Sequence, residues 1–362
     1  MKKFILIITL VAAVLLFMYS YQVKNQKAEN KNVKIGAVLT LTGNMSEYGK
    51  AVKDGITLAI EENEENKTFF NYEIVFEDDQ MDAKKSATAI HKLIYMDKID
   101  AALSITSGTG NVIAPIAAKN NIVHFSYADD NTIATNQKYS FNRNIRYEDL
   151  TSKIIDLFNQ QNVKSIYFVN FIHSSSKRLM KAIEPQVNKS FDVMGNEWVN
   201  ASDREYRNLA ENIKRKNPDA VYLYVLEPAL SILGKELKNV GYEGKILTSY
   251  LFSYAKNKEL FEGCYFVNTK KPNKEFKDKF KKRFGYEPNL GSGEVYDNTN
   301  LIIKTFEKNR SKNPDRFLKE IKSVIKNYKG AIDKIEITEG KVIYNDLVFN
   351  KVENGKIVEV NE

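Results

Sequence analysis

Cysteine is almost absent from this chain. Cys264 is the only one among 362 residues, so no internal disulfide is available. That leaves the compartment open, because a chain of this length can build a core without covalent staples. Histidine is nearly as scarce. His91, His124 and His173 have no metal-ligand spacing with one another or with Cys264. A Gly-x-Ser-x-Gly nucleophile turn is missing, and no Gly-Lys-Ser/Thr follows a glycine loop. The formal charge is +8, but lysine is spread along the chain, with no basic block interleaved with aromatics. Nucleic acid is therefore not an expected partner. These absences argue against an enzyme and against any metal or cofactor.

What is present is an ordinary globular composition, 43% hydrophobic and 28% charged, long enough for two lobes. Residues 1–32 stand apart. Met1-Lys2-Lys3 precedes an apolar run of 16 residues, Phe4 to Tyr19, then a polar stretch. A basic start and a short apolar core describe a secretory signal, shorter than the roughly 20 residues of a comfortable span. Small residues at the cleavage spacing are missing, and no cysteine follows for lipidation. The segment is either a cleaved signal or an anchor reaching about Val23 in the inner membrane. Both place the remainder outside the cytoplasm, in the periplasm or its equivalent.

Residues 99–130 organise the rest. An apolar strand at 101–105 runs into the polar loop Thr106 to Asn111. Pro115 belongs in a helix's first turn, so the spacing predicts a helix starting near Val112. A second strand at 122–126 ends at Asp129-Asp130. Both loops follow the carboxyl ends of parallel strands, the edge where open α/β sheets bind ligands. The first loop offers amide N–H groups to an anion. The second offers two acids to an amine.

The pattern continues on both sides. Strands are predicted at 33–39 and 72–76, with helices at 50–62 and 83–96. From residue 150 a second series alternates helices and strands as far as 250. Another strand at 262–267 precedes three helices ending near Tyr328. Short strands follow around the turns Glu339-Gly340 and Asn354-Gly355. Strands separated by helices of this length imply an α/β protein with two doubly wound lobes.

These residues resemble a known family. Ile35-Gly36-Ala37-Val38, Gly43, Tyr48-Gly49, Asp78-Asp79 and Ser107-Gly108 with Pro115-Ile116-Ala117 occur in order, followed by Tyr296-Asp297. Together they resemble the type I periplasmic binding proteins, in particular the branched-chain amino-acid group that serves ABC transporters. The resemblance covers about residues 33–360. It implies two lobes joined by hinge strands around a ligand cleft. The expected division is 33–143 plus 263–328 for lobe 1, and 144–262 plus 329–362 for lobe 2.

The resemblance also implies a site. Tyr48 falls where an aromatic lines the cleft. Ser107, with Gly108 and Thr109, falls where a hydroxyl and amides hold a carboxylate. Ala128 and Asp130 fall where the second loop meets an amino group. His173 and Ser174, Glu227, and Tyr250 fall at second-lobe positions. The acid expected near Ser249-Tyr250 is absent, so Asp129, Asp130 or Glu227 is the candidate amine partner. Each has a plainer reading: Asp129-Asp130 as a helix cap, Glu227 as a loop acid, His173 as a surface residue. Asp78-Asp79 read as sheet-edge polar residues. Glu294 and Asp297 read as surface pairing or inter-element hydrogen bonding. The expected function is extracytoplasmic binding of a small polar solute, an amino acid, amide or similar compound, for delivery to an ABC permease. The alternative is a tethered sensor of the same fold.

Overall fold

The computed structural model describes residues 31–360, except 44, 67, 201, 333 and 334. The expected signal or anchor lies outside the described residues. No helix among them is long and apolar enough to cross a membrane.

The first half alternates as the apolar spacing requires. β1 (Asn32–Leu39), α1 (Ser46–Glu65), β2 (Asn71–Asp78), α2 (Ala83–Lys92), β3 (Ala101–Ile105), α3 (Ser107–Lys119), β4 (Val123–Tyr127), the short α4 (Thr132–Thr135) and β5 (Ser140–Asn144) follow in turn. The second series is α5 (Tyr147–Gln160), β6 (Ser165–Phe171), α6 (Ser174–Ser190), β7 (Asp192–Val199), α7 (Arg207–Lys216), β8 (Ala220–Tyr224), α8 (Ala229–Asn239), β9 (Lys245–Thr248) and β10 (Tyr265–Thr269). Then come α9 (Lys274–Phe284), α10 (Ser292–Asn309), α11 (Pro314–Lys326), β11 (Glu336–Ile337), β12 (Val342–Tyr344), β13 (Leu347–Glu353) and β14 (Lys356–Val360).

Two seven-stranded sheets result, ordered β11-β12-β5-β4-β3-β1-β2 and β14-β13-β10-β9-β8-β6-β7. The pairings are parallel except β11–β12, β10–β13 and β13–β14. Central strands such as β3 and β8 are buried on both faces, as parallel strands between helix layers must be. Each fully buried Leu, Ile or Phe there contributes about 1.5–3 kcal/mol.

The chain passes between the sheets three times, after β5, after β10 and after β12. Two lobe assignments therefore differ from the sequence expectation. β10, placed in lobe 1 from sequence, pairs with β9 and β13 in the second sheet. β11 and β12, placed in lobe 2, join β5 in the first sheet. Long-range strand pairing decides both, and local apolar pattern carries no signal for it. The helices between them belong to lobe 1: α10 packs on α1, and a Cβ at Gly55 would sit 2.2 Å from the Ser292 carbonyl oxygen.

The α3 start also differs from the expectation. The helix begins at Ser107, with Pro115 in its interior. Thr106 caps it, and burial of Ile113, Ala114 and Ala117 holds it through the one backbone bond that Pro115 cannot donate. The residues read as a loop are thus the helix's first turn.

Candidate functional site

β1, β3, β4 and β6 all end toward one gap between the lobes. The gap holds a cavity of about 100 Å³. Its walls are largely apolar. Met45, Tyr48, Tyr127 and Leu290 come from lobe 1; Phe171, Leu226, Leu251 and Tyr254 come from lobe 2. Polar groups converge on it at two corners.

Ser107 forms the first corner. It opens α3, whose first N–H groups lack intrahelical partners and carry the positive end of the helix dipole. Thr106 stands at φ 66°, which turns the chain sharply from β3 into the helix. Asp79 pins this turn from below. Its buried carboxylate accepts from Thr40 Oγ1 (2.9 Å), from Ser86 Oγ (2.9 Å) and from the Thr109 hydroxyl. Asp79, expected from sequence as a sheet-edge acid, braces the turn that opens α3. Thr109, predicted at the site, is held by Asp79 instead and does not line the cavity, and neither does Gly108.

Asp129 forms the second corner. It follows β4, is half-buried, and lines the cavity beside Ala128. The Tyr250 hydroxyl donates to Asp129 Oδ2 across 3.2 Å and shares a 2.8 Å hydrogen bond with the Tyr224 hydroxyl. Burial pushes the Asp129 carboxyl up, against the Tyr250 hydrogen bond and the Arg178 charge, which lower it. A half-buried acid with one side-chain hydrogen bond is a ready acceptor for a cation.

Asp130 does not share this role. Its carboxylate pairs with Arg178 at 3.2 Å and accepts from Asn111 and from both the N–H and hydroxyl of Thr132. Burial works against its charge, but those hydrogen bonds and Arg178 hold its carboxyl below the usual range. Here the plainer reading, an acid capping the next turn, is the observed one. Glu227 is also engaged elsewhere: it accepts from Ser231 Oγ (2.7 Å) and the Lys256 N–H (2.8 Å), and lines a neighbouring outer recess. Glu294 and Asp297 are buried, not surface-paired. Asp297 accepts from Arg143, and Glu294 from the Gly291 N–H.

Four further predicted residues meet in the cavity. Tyr48 packs edge-on against Tyr254, with ring centroids 5.5 Å apart. The Ala128 carbonyl accepts 2.8 Å from Asn142 Nδ2. His173 caps α6, stacks on Phe171 and contacts Ser175 Oγ at 2.8 Å. Burial and the Arg178 charge depress its pKa, so it is a neutral wall near pH 7. Tyr250 begins a short 3₁₀ helix, Tyr250–Tyr254, that turns both of its terminal rings into the cleft. Ser174 is the first residue of α6.

Sequence reasoning missed Arg178, Tyr127, Tyr254 and Leu290. Arg178 sits on α6 of lobe 2, yet donates to the Asp129 carbonyl and pairs with Asp130, both in lobe 1. The Tyr254 hydroxyl donates to the Leu290 carbonyl at 2.5 Å, and Lys256 pairs with Glu47 at 3.4 Å. The two lobes are therefore in contact across the cleft. None of these residues stands in a local motif that could have marked it.

The profile of the periplasmic binding protein family matches residues 32–356. The chain belongs to this family. A Leu/Ile/Val-binding protein of Rhizobium johnstonii is 23% identical over 224 residues, an alignment spanning 60% of each chain. The leucine binding protein LivK of Thermotoga maritima superposes with a TM-score of 0.81 at 22% identity, covering 91% of this chain and 98% of that one. A Rhodopseudomonas palustris solute binding protein of an ABC transporter, in complex with 3,4-dihydroxybenzoic acid, superposes at 0.80 with 17% identity, covering 91% and 96%. Such likenesses establish the two-lobed fold.

Proposed function

We propose that this protein captures a small zwitterionic solute with an apolar body, an amino acid or close analogue, outside the cytoplasm. It then presents the closed, loaded form to an ABC permease. One observation carries the reading: a helix N-terminus at Ser107 and the half-buried acid Asp129 face a single apolar cavity between two lobes. The first suits a carboxylate and the second an ammonium. Tyr48, Phe171, Leu226 and Leu251 suit a hydrocarbon or aromatic side chain. In this arrangement the amine partner comes from lobe 1, and lobe 2 supplies tyrosine hydroxyls.

A thermal-shift screen of amino acids, amino-acid amides, polyamines and aromatic carboxylates tests it. A solute bound only by the folded chain raises its stability, by about 2.7 kcal/mol at one hundred times its Kd. Apolar amino acids are the expected hits. Stabilisation by aromatic carboxylates alone would reject the zwitterion and leave the fold assignment intact.

A further inference from the structure

A second groove follows the chain crossing between β10 and α9. It holds about 550 Å³ and is walled by both lobes: Lys277 and the 287–290 loop on one side, Lys258 and the start of β14 on the other. Five lysines line it, namely Lys258, Lys270, Lys271, Lys277 and Lys356. Only Lys356 is exposed; the other four are half-buried. Lysine ammonium groups normally extend into water or pair with acids. Here, among the described residues, no carboxylate pairs with Lys258, Lys271, Lys277 or Lys356. The Lys271 ammonium donates to the Ile357 carbonyl at 2.8 Å, and that of Lys258 to the Ala255 carbonyl at 2.7 Å. Burial lowers the Lys271 pKa, the Lys277 charge adds to that shift, and the Glu359 charge opposes it. The two acids of the lining are already engaged. Glu287 pairs with Lys281 at 2.6 Å, and Glu294 accepts from the Gly291 N–H at 3.1 Å and from the Tyr127 hydroxyl.

We propose that this hinge-side groove is a binding site for a soluble multivalent oxyanion of the phosphate class, held by Lys271, Lys277 and Lys258. Several half-buried ammonium groups facing one space repel each other, and a polyvalent anion offsets that repulsion more than chloride can. Because the walls belong to different lobes, the anion links them beside a chain crossing. The inference rests on the groove alone and does not depend on which solute fills the cleft.

Calorimetric titration of pyrophosphate into the full chain at fixed ionic strength tests it. The wild type is expected to bind at a single site. Lys271→Gln combined with Lys277→Gln is expected to weaken binding at least tenfold. Lys282→Gln with Lys326→Gln removes the same charge from exposed positions outside the groove and is expected to leave affinity within twofold. Thermal melts of both variants report their folding. Absence of saturable binding to the wild type, or equal loss in both double variants, would overturn the proposal.

Discussion

The Tyr250 hydroxyl of one lobe lies 3.2 Å from the Asp129 carboxylate of the other, so the one cavity-facing acid among the described residues is bonded across the cleft. This contact ties lobe closure to the acid that the solute's ammonium would meet. It also sets up a conflict between stability and binding at Asp129.

Asp129→Asn should stabilise the solute-free chain. The folded-state carboxyl is raised by burial, so the fold binds that proton more readily than the unfolded chain. Its contribution is therefore least unfavourable at acid pH, and its cost grows as pH rises through the raised value. Replacing the charge at pH 7 is expected to gain roughly 1 kcal/mol in urea unfolding while sharply reducing solute-induced stabilisation. Equal or lower stability of the variant would refute the buried-charge argument.

Arg178→Gln removes the cation that joins α6 to the 129–130 turn. The exposed share of this pair limits its effect on stability to under about 1 kcal/mol. The effect on lobe separation should be larger. Small-angle scattering of the solute-free variant is expected to show a larger radius of gyration than the wild type. An unchanged profile would show that Arg178 does not hold the lobes together.

His124 is fully buried between Ser104 Oγ at 2.8 Å and Ser140 Oγ at 3.1 Å, and burial lowers its pKa to about 3. The unfolded chain takes up this proton first, near the ordinary histidine value of about 6.5. Stability is then lost as pH falls from there toward 3. From pH 6.5 to 5 the loss is about 1.6 kcal/mol from this residue. Chemical unfolding of wild type and His124→Gln at both pH values should show the variant escaping that loss. Parallel behaviour of the two proteins would exclude His124 as the source.

Arg143 and Asp297 form a fully buried pair at 3.3 Å. Asp297 also accepts from the Ala331 N–H at 2.7 Å, the Ile332 N–H at 3.1 Å and the Tyr328 hydroxyl at 2.8 Å. Removing one partner strands the other charge. Asp297→Ala is expected to cost about 3–5 kcal/mol in urea unfolding. A loss below 1 kcal/mol would mean that Arg143 finds water or another acceptor.

Much of this architecture was legible in the sequence, because buried parallel strands read as short apolar runs and helices as faces of period 3.6. The runs at β3 and β4, and the face of Val52, Ile56 and Ile60, are such signals. Lobe membership of β10, β11 and β12 was not legible, since it depends on partners far away in the chain. Pro115 misplaced a helix start, because tertiary burial outweighed one missing backbone bond. Asp129 and Asp130 could not be separated from sequence. They are adjacent and chemically identical, and only Arg178, Asn111 and Thr132 commit Asp130 elsewhere.

The most direct test is calorimetry with the best solute from the thermal screen, set against the same solute lacking its amine. With Asp129 as the buried ammonium partner, the desamino compound should bind wild type about a hundredfold more weakly or worse, since it leaves that carboxylate unpaired. The Asp129→Asn variant should no longer distinguish the two. Equal affinity of wild type for both compounds would contradict the account.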